Sequence, residues 1–206
     1  MHELTRAGGA VVVPCIDDGP ASPVPGARYV PRVDLSQEPA VNAFYEELPA
    51  LWASVHLAGG FTWARLEDTT LAVAQQQWTM NAVTCLICSR AAVAKIRATG
   101  TSGGRLVNVT ARAAGQPTAG LAAYAMSKAA VTALTMTLAD ELREASILVN
   151  AIAPGIIDTP ANRQSMPDAD PTRWTQPAEI ARMIHTLVAP GTSATSGAIV
   201  PVYGRS

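Results

Sequence analysis

The sequence predicts an α/β fold built on a parallel sheet, and three observations predict it. Short β-branched runs alternate with longer helical stretches along the chain, the rhythm of strands joined by crossover helices. The length of 206 residues suits one domain with a full core, so residues 1–206 are read as a single domain. Apolar residues make up 49% of the chain and charged ones only 15%, the balance of a globular chain and not a disordered one.

The elements follow in order. Ala10–Cys15 (AVVVPC) reads as a strand, and Arg28–Val33 (RYVPRV) as a second, with Pro31 weakening it. Between them the Pro/Gly-rich stretch Asp17–Gly26 is a surface loop. Glu38–Leu48 is a short helix, and Trp52–Leu57 a buried strand that ends at Ala58-Gly59-Gly60. Thr70–Ala98 is a long helix and Arg105–Val109 (RLVNV) another strand. Gly120–Glu144 is a second long helix rich in alanine, followed by the strand Ile147–Ile152, which stops at Pro154-Gly155. Ala161–Arg173 reads as a loop or lid over a site. Pro177 suits the first turn of a helix to about Val188, and Gly197–Val202 is the closing strand. There is no internal repeat and no low-complexity linker.

Charge and cysteine usage narrow the function classes. With 15 basic against 16 acidic residues the net charge is -1, and no basic stripe points to nucleic acid or a membrane surface. No apolar run reaches the roughly 18 residues of a membrane span, and residues 1–20 lack the pattern of a secretory signal. Three cysteines, an odd count, argue against a disulfide framework. A soluble, reduced, cytoplasmic protein is expected. Cys85 and Cys88 form one CxxC, open to redox or metal chemistry. Inside a predicted helix and without a second Cys/His pair for zinc, they read as buried small residues, and no metal is expected. His56 and His185 stand alone and read as structural.

The chemistry sits in Tyr124-Ala-Met-Ser-Lys128 on the second long helix. A four-residue step puts both side chains on one helix face, one turn apart. A free phenol has a pKa of about 10 and is a poor proton shuttle at neutral pH. A fixed ammonium nearby favours phenolate and moves that pKa toward working pH. The pair can then protonate a carbonyl or imine, or the nitrogen of a conjugated ring, as hydride arrives. On its own the pair is as compatible with a chance helical neighbourhood as with function.

The surrounding order adds specificity. A strand leads into Asn108-Val109-Thr110, then a loop, Tyr124…Lys128, an alanine-rich helix, a strand, and Asn150-Ala-Ile-Ala-Pro154-Gly155-Ile-Ile-Asp-Thr159-Pro160. Asp34-Leu35 after a strand, Ala58-Gly59-Gly60 after the next, and Asn81 in the first long helix extend the pattern. From about residue 5 to 202 the chain resembles the short-chain dehydrogenase/reductase family. The resemblance implies a Rossmann-like doubly wound parallel sheet and an NAD(P)-dependent oxidoreductase. It implies Tyr124 as general acid/base, Lys128 lowering its pKa and holding the nicotinamide ribose, and Asn81 positioning a water that links Lys128 to solvent. Asp34 and Leu35 would border the adenine, Ala58 and Gly59 would pass beneath the cofactor, and Ile157 and Thr159 would contact the carboxamide or phosphates. The residues themselves leave Asn81 open as a polar helix residue and the glycines open as a tight turn. The resemblance also implies a homodimer or homotetramer, with the two long helices packed on a second subunit.

Two features depart from the family pattern. The family places a serine thirteen residues before the tyrosine; here that position is Ala111, and Thr110 would face the other way. The dihydropteridine reductase branch has alanine there, and the chain is similar to it at Ala58-Gly-Gly-Phe61, at Ala111-Arg-Ala-Ala, at Gly120-Leu-Ala-Ala-Tyr124 and through Asp158–Trp174. That likeness implies a quinonoid dihydropterin as substrate and NADH or NADPH as hydride donor. Within the lid, Asn162, Arg163 and Trp174 are candidates to stack on or bond to a flat ring, or else belong to a polar surface loop with one buried Trp.

The second departure is at the phosphate site. The family opens on a strand, a glycine-rich turn and a helix that aims its N-terminus at the pyrophosphate. No GxxxGxG or GxGxxG occurs here. Met1–Gly9 looks like the tail of that helix, so roughly thirty residues of the family pattern are expected to be absent and the fold to be N-terminally truncated. Loss of the central first strand would separate the second and third strands from the rest, at about 1–3 kcal/mol for each buried unpaired backbone group. Three outcomes stay open: direct re-pairing across the gap, a strand from a partner, or a truncated form of a longer protein. Asp17 and Asp18 beyond Cys15 leave NAD and NADP both open. A non-catalytic relative serving as an oligomeric scaffold or binding module is the alternative to a reductase.

Overall fold

The computed structural model describes residues 1–100, 103–116 and 118–205. The β-branched runs become six parallel strands among these residues, but in two sheets. β1 (Val11–Pro14) pairs only with β2 (Ala27–Val30), while β3 (Ala53–His56), β4 (Gly104–Val109), β5 (Ile147–Pro154) and β6 (Ile199–Val202) form a second sheet in that order. The architecture is an α/β Rossmann-like fold with parallel sheets.

Helices cover both faces. They are α1 (His2–Arg6), α2 (Glu38–Glu46), α3 (Leu71–Trp78), α4 (Thr84–Ala98), α5 (Ala122–Glu141), α6 (Pro160–Ser165) and α7 (Pro177–Val188). Their starts are legible in the sequence: proline occupies the first turn of α2, α6 and α7, where its missing N–H costs nothing. Thr70 caps α3 by accepting from Val73 N. Strand alternation sorts the layers. Leu106 and Val149 join the core under α2 and α4, whereas Val107 and Ile152 meet Ile180, Ile184, Leu187 and Val188 of α7. No helix of the described residues is long and apolar enough to cross a membrane.

The predicted single helix from Thr70 to Ala98 is interrupted: a π turn at Thr79–Val83 separates α3 from α4. The lid read as a loop contains the short helix α6 and a 3-10 turn at Pro171–Arg173.

Among the described residues β1 does not pair with β3. Arg105 N bonds to Trp52 O, so by alternation the backbone groups of Ala53 and Val55 face away from β4. Cys15 N bonds to Val30 O and Val33 N to Cys15 O, which turns Val12 and Pro14 away from β2. Among the described residues these two edges have no ladder partner. Ala53, Val55, Val12 and Pro14 are all part-exposed, so water can reach the edges, and Pro14 has no N–H to leave unpaired. What joins the two sheets is side-chain packing. Val12 and Val30 rest on the same apolar cluster as Leu106, Val149 and the buried face of α2, Val41, Phe44 and Tyr45.

Candidate active site at the carboxyl ends of β3 and β4

The strands of the larger sheet point their carboxyl ends toward the start of α5, and the turns there bring the predicted residues together. After β3, Gly59 and Gly60 run against the π turn and against Lys128. A Cβ on Gly59 would lie 2.6 Å from Asn81 Oδ1 and 3.3 Å from Lys128 Nζ, so only glycine fits there unless its neighbours move.

Asn81 explains the π turn. Such turns insert one residue and re-aim the side chains around it, often at functional sites. Here the result is an asparagine only 1% exposed. Its Nδ2 donates to Gly60 O and Ser127 Oγ, each at 3.0 Å, and its Oδ1 accepts from Gly60 N at 3.1 Å. The side chain is therefore a clamp between the β3 turn and α5. Each polar atom of the side chain has a partner within the fold.

Tyr124 and Lys128 share one face of α5, as the spacing predicts. Lys128 Nζ lies 5.9 Å from the Tyr124 ring centroid and donates to Val109 O at 2.9 Å. The backbone carbonyl of Lys128 is held by Thr110 Oγ1 at 2.8 Å, which commits the Thr110 hydroxyl to the interior. The electrostatics differ from expectation. Burial pushes the Tyr124 phenol up to about 12 and the Lys128 ammonium down to about 8. Desolvation acts on both, and the ammonium, turned to the Val109 carbonyl, does not bring the phenol down. Tyr124 is thus a protonated acid at neutral pH, and Lys128 is largely charged.

Ala111 follows β4, is buried, and opens a 3-10 turn by accepting from Ala114 N. It brings no hydroxyl to the site. On the far side of Tyr124, the Phe61 ring meets the phenol edge-on with centroids 5.1 Å apart. Trp63 packs its indole on Gly120, whose carbonyl accepts from Ala64 N at 3.0 Å. The residue reading used Phe61 only as part of a family pattern and missed Trp63. The available signal was two aromatics just past a glycine pair in a chain with only two Phe and four Trp.

Other candidates are placed differently. The Asp34 carboxylate accepts from Ser36 N at 2.9 Å and Ser36 Oγ at 2.7 Å, bonds that hold it below the usual carboxylate range. Leu35 packs on the core cluster. Ala58 lies exposed beside Gly59. Ile157 bridges to Thr175 and packs on the α7 cluster, and Thr159 caps α6 by accepting from Asn162 N at 3.2 Å. Asp18 pairs with Arg32 at 3.2 Å, and Asp17 accepts from Gly19 N at 3.1 Å.

The polar groups of the lid bond to the lid and to the segment that leads into it. Asn162 Nδ2 donates to Ile157 O at 2.8 Å, and Arg163 grips both carboxylate oxygens of Asp158 at 2.6 and 2.8 Å. Those bonds and one from Gln176 pull the Asp158 carboxyl down to about 2. Trp174 is 5% exposed, so it keeps no ring face free for stacking. Asp158 was not singled out from sequence, because an acid five residues before an arginine is unremarkable until a turn brings the two together.

His56, Cys85 and Cys88 are structural in place. A continuous chain of hydrogen bonds runs from Tyr45 Oη through Ser54 Oγ to His56 Nε2, and from His56 Nδ1 through Asn108 to Thr135 on α5. Because Asn108 Nδ2 donates to Thr135, its Oδ1 must accept from His56 Nδ1, which fixes the neutral tautomer. Burial lowers the His56 pKa to about 4. The two thiols are free and buried, pushed up to about 11 and 12, so neither is a thiolate at neutral pH. No cluster of metal-ligating side chains occurs among the described residues.

Known proteins resemble the chain in sequence and in fold. Residues 3–204 match a family profile described as enoyl-(acyl carrier protein) reductase. The chain is 31% identical over 185 residues to an oxidoreductase of Escherichia coli, YohF, covering 84% of this chain and 73% of the relative. It is 29% identical over 221 residues to 7alpha-hydroxysteroid dehydrogenase of the same organism, covering 98% and 86%. Among solved structures, a short-chain dehydrogenase/reductase family protein superposes with a TM-score of 0.86 at 31% identity, covering 98% of this chain and 88% of its own.

Proposed function

The chain belongs to the short-chain dehydrogenase/reductase family, and we propose that it is a nicotinamide-dependent reductase with Tyr124 as proton donor and Lys128 as its electrostatic partner. One observation carries the reading: a half-buried phenol and a buried ammonium lie on one face of α5, beside a glycine at which a Cβ would touch the ammonium.

The residues fit the nicotinamide end of such a cofactor and offer no cradle for its phosphates. At the nicotinamide end, Gly59 would give close backbone approach and Lys128 an ammonium for ribose hydroxyls, with Ile157 and Thr159 the candidates for the carboxamide side. Asp34 and Leu35 are the adenine-side candidates. No glycine-rich turn before a helix stands among the described residues. When bound, the nicotinamide supplies hydride, and either NAD or NADP suits the residues present.

The protein's own part is proton delivery. Tyr124 holds its proton until a substrate oxygen or nitrogen becomes basic enough to take it. The phenolate left behind would draw the Lys128 ammonium, which rests on the Val109 carbonyl while the phenol keeps its proton, toward the phenol oxygen. Asn81 keeps Gly60 and Ser127 in register, and so keeps the β3 turn against α5.

The substrate reading goes one step finer. With Ala111 in place of a hydroxyl donor, the site favours a substrate that needs little help at its oxygen, such as the conjugated ring of a quinonoid dihydropterin. A homodimer or homotetramer is supported by Leu86 on α4 and by Met126 and Met136 on α5, large apolar side chains left exposed. The test is reduction of a quinonoid dihydropterin with NADH or NADPH. Tyr124→Phe is expected to lower kcat by a factor of at least about a hundred, and absence of either cofactor's binding at millimolar concentration would overturn the proposal. Ala111→Ser is expected to raise activity on a plain ketone about tenfold while leaving the pterin rate unchanged. Equal effects on both would remove the pterin reading.

A further inference from the structure

The turn after β3 carries no charged residue from Ala58 to Ala64, yet it presents two aromatic side chains, one on the Tyr124 ring and one on Gly120. Phe61 lies edge-on to Tyr124. Trp63 lies on Gly120, four residues ahead of Tyr124, where φ is +77° and a Cβ would run into the indole. Each is 58% exposed, so the core does not need them buried.

The turn is also held rigid. Gly60 N bonds to Asn81 Oδ1, Gln77 Nε2 donates to Thr62 Oγ1 at 3.1 Å, and Ala64 N bonds to Gly120 O. Three anchors, one on the π turn, one on α3 and one before α5, fix the loop on either side of the two rings. Large apolar faces held still in water, next to an acid that must meet its substrate, are the features of a recognition wall.

We propose that Phe61 and Trp63 are the specificity-determining wall of this site, selecting a substrate whose reducible group lies in, or is joined to, a flat ring system over small acyclic carbonyl compounds. The inference rests on the reductase reading of Tyr124 and Lys128 and extends it to substrate class. A flat ring packs on the exposed faces of the two aromatics and brings its attached carbonyl or ring nitrogen to the phenolic hydroxyl. A small acyclic ketone reaches the hydroxyl but leaves the wall wet.

Binding and turnover separate the two ideas. The full chain is titrated, without cofactor, with 2-acetylnaphthalene and with 2,3-butanedione by equilibrium dialysis, and both are assayed as substrates with NADH and NADPH. Phe61→Ala and Trp63→Ala are expected to weaken 2-acetylnaphthalene about tenfold and butanedione less than about twofold. The loss in Trp63→Ala falls on KM with kcat retained, while Phe61→Leu, which keeps bulk against Tyr124, recovers folding and part of the affinity. If the wild type binds 2-acetylnaphthalene but reduces neither ketone, the wall stands and the reductase reading falls. If both ketones are reduced and the variants weaken them equally or not at all, the reductase stands and the wall falls. No binding of the ring ketone to the wild type overturns the wall. So does a change in Trp63 emission, read against Trp63→Phe, that follows protein concentration alone, because a second copy would then cover it.

Discussion

Substituting Gly59→Ala tests the geometry most directly, because one methyl group meets two functional residues. The added Cβ lies 2.6 Å from Asn81 Oδ1 and 3.3 Å from Lys128 Nζ. The first separation is closer than carbon and oxygen tolerate, so something must move. If Asn81 withdraws, its bonds to Gly60 N, Gly60 O and Ser127 Oγ weaken in a site that is 1% exposed. Buried polar groups left unsatisfied cost about 1–3 kcal/mol each. If the turn withdraws instead, the cost is overpacking strain of about 1–3 kcal/mol, and Phe61 shifts away from Tyr124. Either route predicts a loss of about 2–4 kcal/mol in urea unfolding followed by circular dichroism. It also predicts a fall in reductase kcat/KM beyond what folding explains. Gly115→Ala is the matched control. Its Cβ meets nothing within 4 Å and its φ is −121°, so it should be neutral or gain up to about 1 kcal/mol. A Gly59→Ala protein within about 0.5 kcal/mol of wild type, with unchanged kcat/KM, would refute the clamp between the β3 turn and α5.

Two pH dependences follow from the buried groups. Lys128 has its pKa lowered to about 8, so its charge is lost as pH rises through that value. The kcat/KM for reduction should then fall on the alkaline side of about pH 8, and Lys128→Met should give a low profile without that limb. His56 is neutral in the fold, with a pKa near 4 against an ordinary 6.5. Between those values the unfolded chain binds the extra proton, so stability should fall by about 3 kcal/mol in total as pH drops from 6.5 to 4. Urea midpoints across that range check it, and a flat profile would show that His56 is protonated in place.

Much of the fold was legible because its signals are local. β-branched runs marked all six strands, and Pro177 marked the start of α7. The four-residue step from Tyr124 to Lys128 placed both on one face without any tertiary information. Asn81, Gly59 and Lys128 were named separately from sequence, and the structure shows them in one cluster. Family patterning alone carried that grouping, since nothing in the spacing of residues 59, 81 and 128 predicts contact. The lid was the weakest reading. Polar residues there looked available for a ligand, but a turn at Asp158 brought Arg163 and Gln176 onto its carboxylate.

By itself the sequence determined the six strands, most of the long helices, and that a phenol and an ammonium share a helix face, because periodicity and capping act over a few residues. Only the tertiary structure decided the rest. It left β1 and β2 as a sheet apart from β3 to β6 and raised Tyr124 while lowering Lys128. It also spent Asn162, Arg163 and Trp174 on the lid's own packing and set Phe61 and Trp63 beside the acid. Strand pairing and desolvation depend on what lies across the fold, and residues far apart in the chain supply it.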